Sequence, residues 1–155
     1  MCLSIALERS EDILATSEHQ GFKWHVIHNG QGYRCGYVRI PAGHPWHGKH
    51  YNDIAAKVHG GLTFAEPDVP CDAPGEDNDW WVGFDCVHAF DLPDPSLPIN
   101  CPWSPFEKIF TSSLFRAIDY ALTAEHAPSA EGETRTHEYV EAECRSLCEQ
   151  ALQAA

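Results

Sequence analysis

Apolar and polar positions alternate along residues 22–28, F-K-W-H-V-I-H, and again along 33–40, Y-R-C-G-Y-V-R-I. Period-two alternation of bulky and β-branched residues marks a strand with a covered face. Asn29-Gly30 lies between the two runs and Gly32 follows, so 22–40 predicts a β-hairpin with a loop slightly longer than two residues. Pro41 ends its second strand. Residues 54–64 read as a third strand centred on V-H-G-G-L-T-F, where Gly60 and Gly61 mark a bulge or the close approach of a backbone or ligand. W-W-V-G-F-D-C at 80–86 reads as the fourth. The stretch 1–17, with Ile5, Leu7, Ile13 and Leu14, fits an edge strand, a short helix, or both in succession.

Towards the C-terminus the period changes. Val140, Cys144, Leu147, Cys148 and Ala151 recur at helical spacing while Glu141, Glu143, Arg145 and Glu149 point elsewhere, so 134–154 predicts an amphipathic helix. Ser104-Pro105-Phe106-Glu107 has the form of a helix start, which predicts a further helix over 106–124. Between these elements lie a Pro-, Gly- and acid-rich loop at 66–79, an extended segment at 91–105 carrying Pro93, Pro95, Pro98, Pro102 and Pro105, and a linker at 128–133. The expected architecture is a single α+β domain over 1–155: a mostly antiparallel sheet of four or five strands with the C-terminal helix packed on one face.

Composition narrows the function classes. With 155 residues, five Trp, seven Phe and five Tyr, the chain can build one real core and is not a disordered polymer. A formal charge of −13 repels phosphate backbones and argues against long DNA or RNA as a partner. It leaves open a small ligand in a locally positive pocket, a basic host protein, or a second copy of the chain. No apolar run approaches a membrane span. The N-terminal M-C-L-S-I-A-L lacks a basic region and is followed by Glu8, Glu11 and Asp12, so no signal peptide and a cytoplasmic location are expected. Seven cysteines, an odd number with no C-x-x-C pair, predict neither a disulfide framework nor a zinc ribbon. Cys144 and Cys148, one helical turn apart, are expected to pack as small apolar residues.

The reactive residues concentrate after the fourth strand. Asp85, Cys86, His88 and Asp91 fall within seven positions, and titratable groups at the end of a buried strand are costly unless paired or used. His59, Gly60, Gly61 and Thr63 lie on the third run, and the loop 41–51 adds His44, His47, His50 and Tyr51. The expected site is a pocket lined by His44, His47, Tyr51, His59, Gly60, Gly61, Thr63, Asp85, His88 and Asp91, binding a small polar, nucleotide-like ligand. Trp46, Tyr51, Trp80 or Trp81 would supply flat surfaces and Arg34, Arg39 and Lys49 cations; the phosphate-loop pattern G-x-x-x-x-G-K is absent. Three other readings stay open. In a hydrolase, His59 or His88 is the general base, with Asp85 or Asp91 orienting it or holding a divalent metal. Cys86 with His88 or His59 would be a nucleophilic pair, against the plainer reading of a core cysteine. An acidic inhibitor of a host protein needs no pocket. The bland reading of the histidines is solvation, or a structural pair of His59 with Asp85. Two histidines with two carboxylates would suit a hard or borderline divalent metal, although H-E-x-x-H is absent.

The series G-Y-V-R-I-P at 36–41, H-P-W-H-G-K-x-Y at 44–51, V-H-G-G-L-T at 58–63, W-W-V-G-F-D-C-V-H-A-F-D at 80–91 and E-Y-V-x-x-E-C-x-x-L-x-x-Q at 138–150 resembles a family of small, largely uncharacterised phage and prophage proteins. The likeness runs from about Tyr33 to Gln150. Relatives tend to carry a small residue where Phe90 stands. The resemblance brings no activity with it. It implies action in the cytoplasm of a host cell, in counter-defence or host takeover, such as sequestering a host signalling nucleotide.

Overall fold

The structure is a computed structural model and describes residues 13–67, 80–98 and 132–155. The helix expected at 106–124, the loop at 68–79, the linker at 128–131, and the parts of the N-terminal and proline-rich segments at 1–12 and 99–105 lie outside the described residues. The fold is α+β. Five antiparallel strands, β1 (Ile13–His19), β2 (Phe22–His28), β3 (Arg34–Ile40), β4 (Phe64–Pro67) and β5 (Trp80–Asp85), form a sheet of order β1-β2-β3-β5-β4. A short parallel pair, β6 (Asp91–Leu92) with β7 (Glu133–Thr134), lies apart from it, and the C-terminal helix α1 (His137–Ala154) packs on the large sheet. No helix among the described residues is long and apolar enough to cross a membrane.

The hairpin forms as its alternation requires, pairing Trp24 with Val38 and Val26 with Gly36. Its loop is closed by the Asn29 carboxamide, whose oxygen accepts from the backbone N–H groups of Gln31 and Tyr33 at 2.8 and 3.2 Å. Phe22, Trp24, Val26, Val38, Ile40, Val82 and Phe84 bury against the helix stripe Val140, Cys144, Leu147, Cys148 and Ala151. Gly36 lets the helix come close: an added Cβ there would strike the Phe84 ring and lie 2.7 Å from Cys144 Sγ. The helix begins at His137, later than the expected start at 134. Glu133 and Thr134 are drawn into pairing with β6, and the Thr136 hydroxyl caps the helix by accepting from Tyr139 N.

The third strand departs from expectation. Only Phe64–Pro67 forms ladder pairs with β5, with Thr63 N donating to Gly83 O just before it, while Lys57 and His59 bond to α1 instead. Gly60 and Gly61 take φ values of +65° and +89°, which no extended strand can contain, and Gly61 N donates to Val58 O at 3.0 Å to close a tight turn. The helix supplies the backbone partners that the sheet does not. Gln150 Oε1 accepts from Lys57 N, Gln150 Nε2 donates to Lys57 O, and Glu143 Oε2 accepts from His59 N at 2.7 Å.

Buried Arg34 ties the far end of the sheet together. It donates to Arg135 O at 3.0 Å and to Asp94 Oδ2 at 2.6 Å. The Ser96 hydroxyl and backbone N–H, and then Arg34, hold the Asp94 carboxyl down from 3.8 to about 2. A group whose folded pKa is lowered stabilises the fold above its unfolded pKa and loses that contribution as pH falls through the folded value. Asp94→Asn is therefore expected to flatten the acid limb between pH 3.8 and about 2, read as chemical-denaturation midpoints against pH. An unchanged slope there would show that this pair does not link to folding.

Candidate functional site

Two turns bring the site together. In the first, Val58 to Gly61, His59 projects towards α1. In the second, Asp91 N donates to His88 O at 3.0 Å, and Phe90 takes φ +76°. The β6–β7 pairing then carries Arg135, just past β7, onto Asp91.

Asp91 is the centre, with its side chain 1% exposed. Its Oδ2 accepts from His59 Nε2 at 2.8 Å, His88 N at 3.0 Å and His88 Nδ1 at 3.3 Å, while Oδ1 accepts from Arg135 Nε at 2.8 Å. Burial pushes this carboxyl up, but the hydrogen bonds from Arg135, His59 and the His88 backbone outweigh burial and hold its pKa well below the carboxylate range. An ionised carboxylate only accepts, so His59 Nε2 and His88 Nδ1 carry the protons that face it. The second nitrogen of His59 lies 3.0 Å from the Tyr139 hydroxyl. His88 Nε2 faces the outer side, 3.9 Å from Asp85 Oδ1, with the side chain 33% exposed. His59, His88 and Asp91 form a group that could hold a metal ion, with one donor atom of each within 4.8 Å of the others.

Gly60 makes the contact possible. Its α-carbon lies under the His88 ring, and a Cβ added there would run into that imidazole. The glycine pair therefore serves a turn and, at Gly60, the close approach of a side-chain ring, in place of the bulge or the backbone or ligand approach expected from the sequence.

Other expected residues lie elsewhere. His44 is buried and fully engaged: Nε2 meets Ala151 O at 2.9 Å and Nδ1 accepts from Trp46 N at 3.0 Å. Glu143, which bonds His59, and Ala151, which bonds His44, are separated by about 12 Å of helix at 1.5 Å per residue. His47 lies against Trp80, 5.8 Å between ring centres, at the start of β5. Asp85 is at its other end, roughly 17 Å away at about 3.4 Å per strand residue. Tyr51 stacks on His50 and packs against the main core. The loop carrying His44, His47 and Tyr51 thus belongs to the opposite end of the domain. Thr63 is exposed, and its N–H donates to Gly83 O at 2.9 Å. Gly61 has open space above its α-carbon. The pairing weighed between His59 and Asp85 is replaced by His59 with Asp91.

The nucleophilic reading of Cys86 fails. The residue is 1% exposed, and burial, then the carboxylate of Asp91, push its thiol up to about 12. A thiol of that pKa is not a thiolate near neutrality. Trp46 and Trp81 are buried, and Arg34 is committed to Asp94, so none offers a face or charge to a ligand.

Sequence reasoning missed Arg135, Tyr139 and Glu143. Their spacing of four was the available signal: it sets a polar flank beside the apolar stripe of α1. Glu143, expected to point away, turns to the His59 backbone because the chain at 54–63 runs along that flank.

Two stability comparisons check this geometry. Gly60→Ala, which meets both a left-handed φ and the His88 ring, is expected to cost at least about 2 kcal/mol, against about 1 kcal/mol for Gly61→Ala, where only the backbone is strained. Equal losses in urea titrations would deny the ring contact. Phe90 is 70% exposed and sits at φ +76°, so Phe90→Gly is expected to raise stability, by about 1 kcal/mol, the cost of a side chain in the left-handed region. A loss of stability would show that the Phe90 ring makes contacts worth more than that strain.

No protein-family model, no curated protein and no solved structure matches the chain.

Proposed function

We propose that the protein binds a small polar ligand at the face formed by His59, His88 and Asp91, with Asp85 beside them. One observation carries this reading: two imidazoles from separate turns converge on a single oxygen of a buried carboxylate, and one of them reaches solvent. Arg135 by itself supplies the countercharge that burial of Asp91 demands. The two histidines exceed that structural need, and clusters of this kind are favoured where they are used. A ligand rich in hydrogen-bonding groups, such as a nucleotide, suits donors and acceptors of this density. In the phage setting that the sequence resemblance implies, the protein would act by sequestering a host signalling nucleotide. A divalent metal ion is the cofactor these three side chains would take.

A second reading has its own support. Asp91 holds His88 by Nδ1, so Nε2 faces outward with its lone pair, as in a general base oriented by a carboxylate. Such a base would take the proton of an attacking water, making the protein a hydrolase of the same ligand.

Incubation with a nucleotide panel, followed by heat denaturation and analysis of the released compounds, separates these readings. Binding with intact ligand returned is the expected outcome, weakened at least about tenfold by His59→Ala and by His88→Ala. Altered ligand returned would establish the hydrolase instead. No binding or turnover of any panel member, or binding indifferent to both substitutions, would overturn the site and leave surface-charge inhibition of a host protein as the reading to pursue.

A further inference from the structure

We propose that His59 Nε2, His88 Nδ1 and Asp91 Oδ2 together hold a divalent first-row transition metal ion, with Tyr139 and Arg135 fixing the far sides of His59 and Asp91 and the Asp85 carboxylate near the outer edge of His88. The inference rests on reading this cluster as a functional site, and adds the ion, the ligating atoms and the residues that position them.

The spacing fits an ion. Donor atoms about 2.1 Å from a metal are separated by about 3.0 Å at right angles and about 3.4 Å in a tetrahedron. Asp91 Oδ2 lies 2.8 Å from His59 Nε2 and 3.3 Å from His88 Nδ1. Two imidazoles and one carboxylate form a borderline donor set, which favours transition ions over calcium or magnesium and leaves coordination positions for a ligand.

Two of the three donors have a hydrogen-bond partner behind them, and the third has a carboxylate nearby. The Tyr139 hydroxyl is 3.0 Å from His59 Nδ1, Asp85 Oδ1 is 3.9 Å from His88 Nε2, and Arg135 Nε donates to Asp91 Oδ1, the oxygen not facing the histidines. Metal-binding imidazoles and carboxylates are oriented by such outer contacts. Charge favours a dication too: the carboxylates of Asp91, Asp85 and Glu143 gather around the histidines and outnumber the guanidinium of Arg135.

Starting from two neutral imidazoles, loading balances without net proton release. The ion replaces the two N–H groups that face Asp91. Each imidazole keeps one proton by moving it to its other nitrogen, on His59 to Nδ1 and on His88 to Nε2. Tyr139 then changes from donor to acceptor, and the His88 N–H faces outward, towards the Asp85 carboxylate. Tyr139 is thus a positioning residue that serves both tautomers of His59.

Untagged full-length protein, stripped with a chelator and titrated with zinc and with cobalt, tests this. Expected results are one ion per chain by calorimetry, a cobalt absorption band, and exchange of the protonated ring nitrogen in both His59 and His88 by nitrogen-15 NMR. His59→Ala and His88→Gln are expected to abolish the band while circular dichroism stays native. Tyr139→Phe should lower affinity about tenfold with the stoichiometry kept, the usual effect of losing an outer partner. No binding, or binding unmoved by the His59 and His88 substitutions, overturns the metal site. If stripped protein binds a nucleotide but takes up neither zinc nor cobalt, only the metal inference fails. If zinc binds through both histidines and no nucleotide does, only the ligand reading fails.

Discussion

A carboxylate with 1% exposure must be neutralised or saturated, and Asp91 is where this fold meets that constraint. Four stretches of chain answer it at once: the turn at His59, the turn at His88, the short β6–β7 pair, and the approach to α1 that carries Arg135. Arg135 is itself held through its carbonyl by Arg34, and Arg34 is held by Asp94. The site is therefore continuous with the structural end of the sheet. Loss of the Asp91 charge would release several backbone segments together, which is why a change there tests folding before it tests function.

The helix has two duties that its sequence keeps on separate sides. Val140, Cys144, Leu147, Cys148 and Ala151 close the core, and their periodicity announces it. Tyr139, Glu143 and Gln150 line the flank, where they capture the backbone of residues 54–63 and the His59 ring. A segment with two left-handed glycines cannot join the sheet, so it needs partners from elsewhere. Site and fold are coupled because the same helix flank supplies both.

This explains what could be read from the sequence. Strands β2, β3 and β5 and the buried helix stripe follow from local periodicity, and the predicted hairpin and sheet architecture appear accordingly. His59, His88 and Asp91 could be chosen because reactive residues beside an apolar strand are conspicuous. Arg135 and Tyr139 escape notice because they meet Asp91 and His59 across 44 and 80 positions, and their spacing of four marks a polar flank but not what that flank faces. His44 misleads for the same reason in reverse: its partner is a helix carbonyl 107 positions away, and a histidine satisfied by backbone looks in sequence like a free one.

What distinguishes Asp91 from an ordinary buried ion pair is the crowding of one oxygen. A carboxylate offers about four lone-pair positions, two on each oxygen. Oδ1 receives Arg135, while Oδ2 receives three donors, and the longest contact, 3.3 Å, is to His88 Nδ1. Three donors cannot all be well aligned on two lone pairs, so the His88 side chain is the weakest held. It is also the more exposed imidazole, and the ring that Gly60 makes room for. A purely structural cluster would gain little from an extra donor on a saturated acceptor. A cluster that must surrender a nitrogen to something entering from solvent gains a group that leaves its partner at small cost, while Arg135 and the His88 backbone N–H keep Asp91 in place.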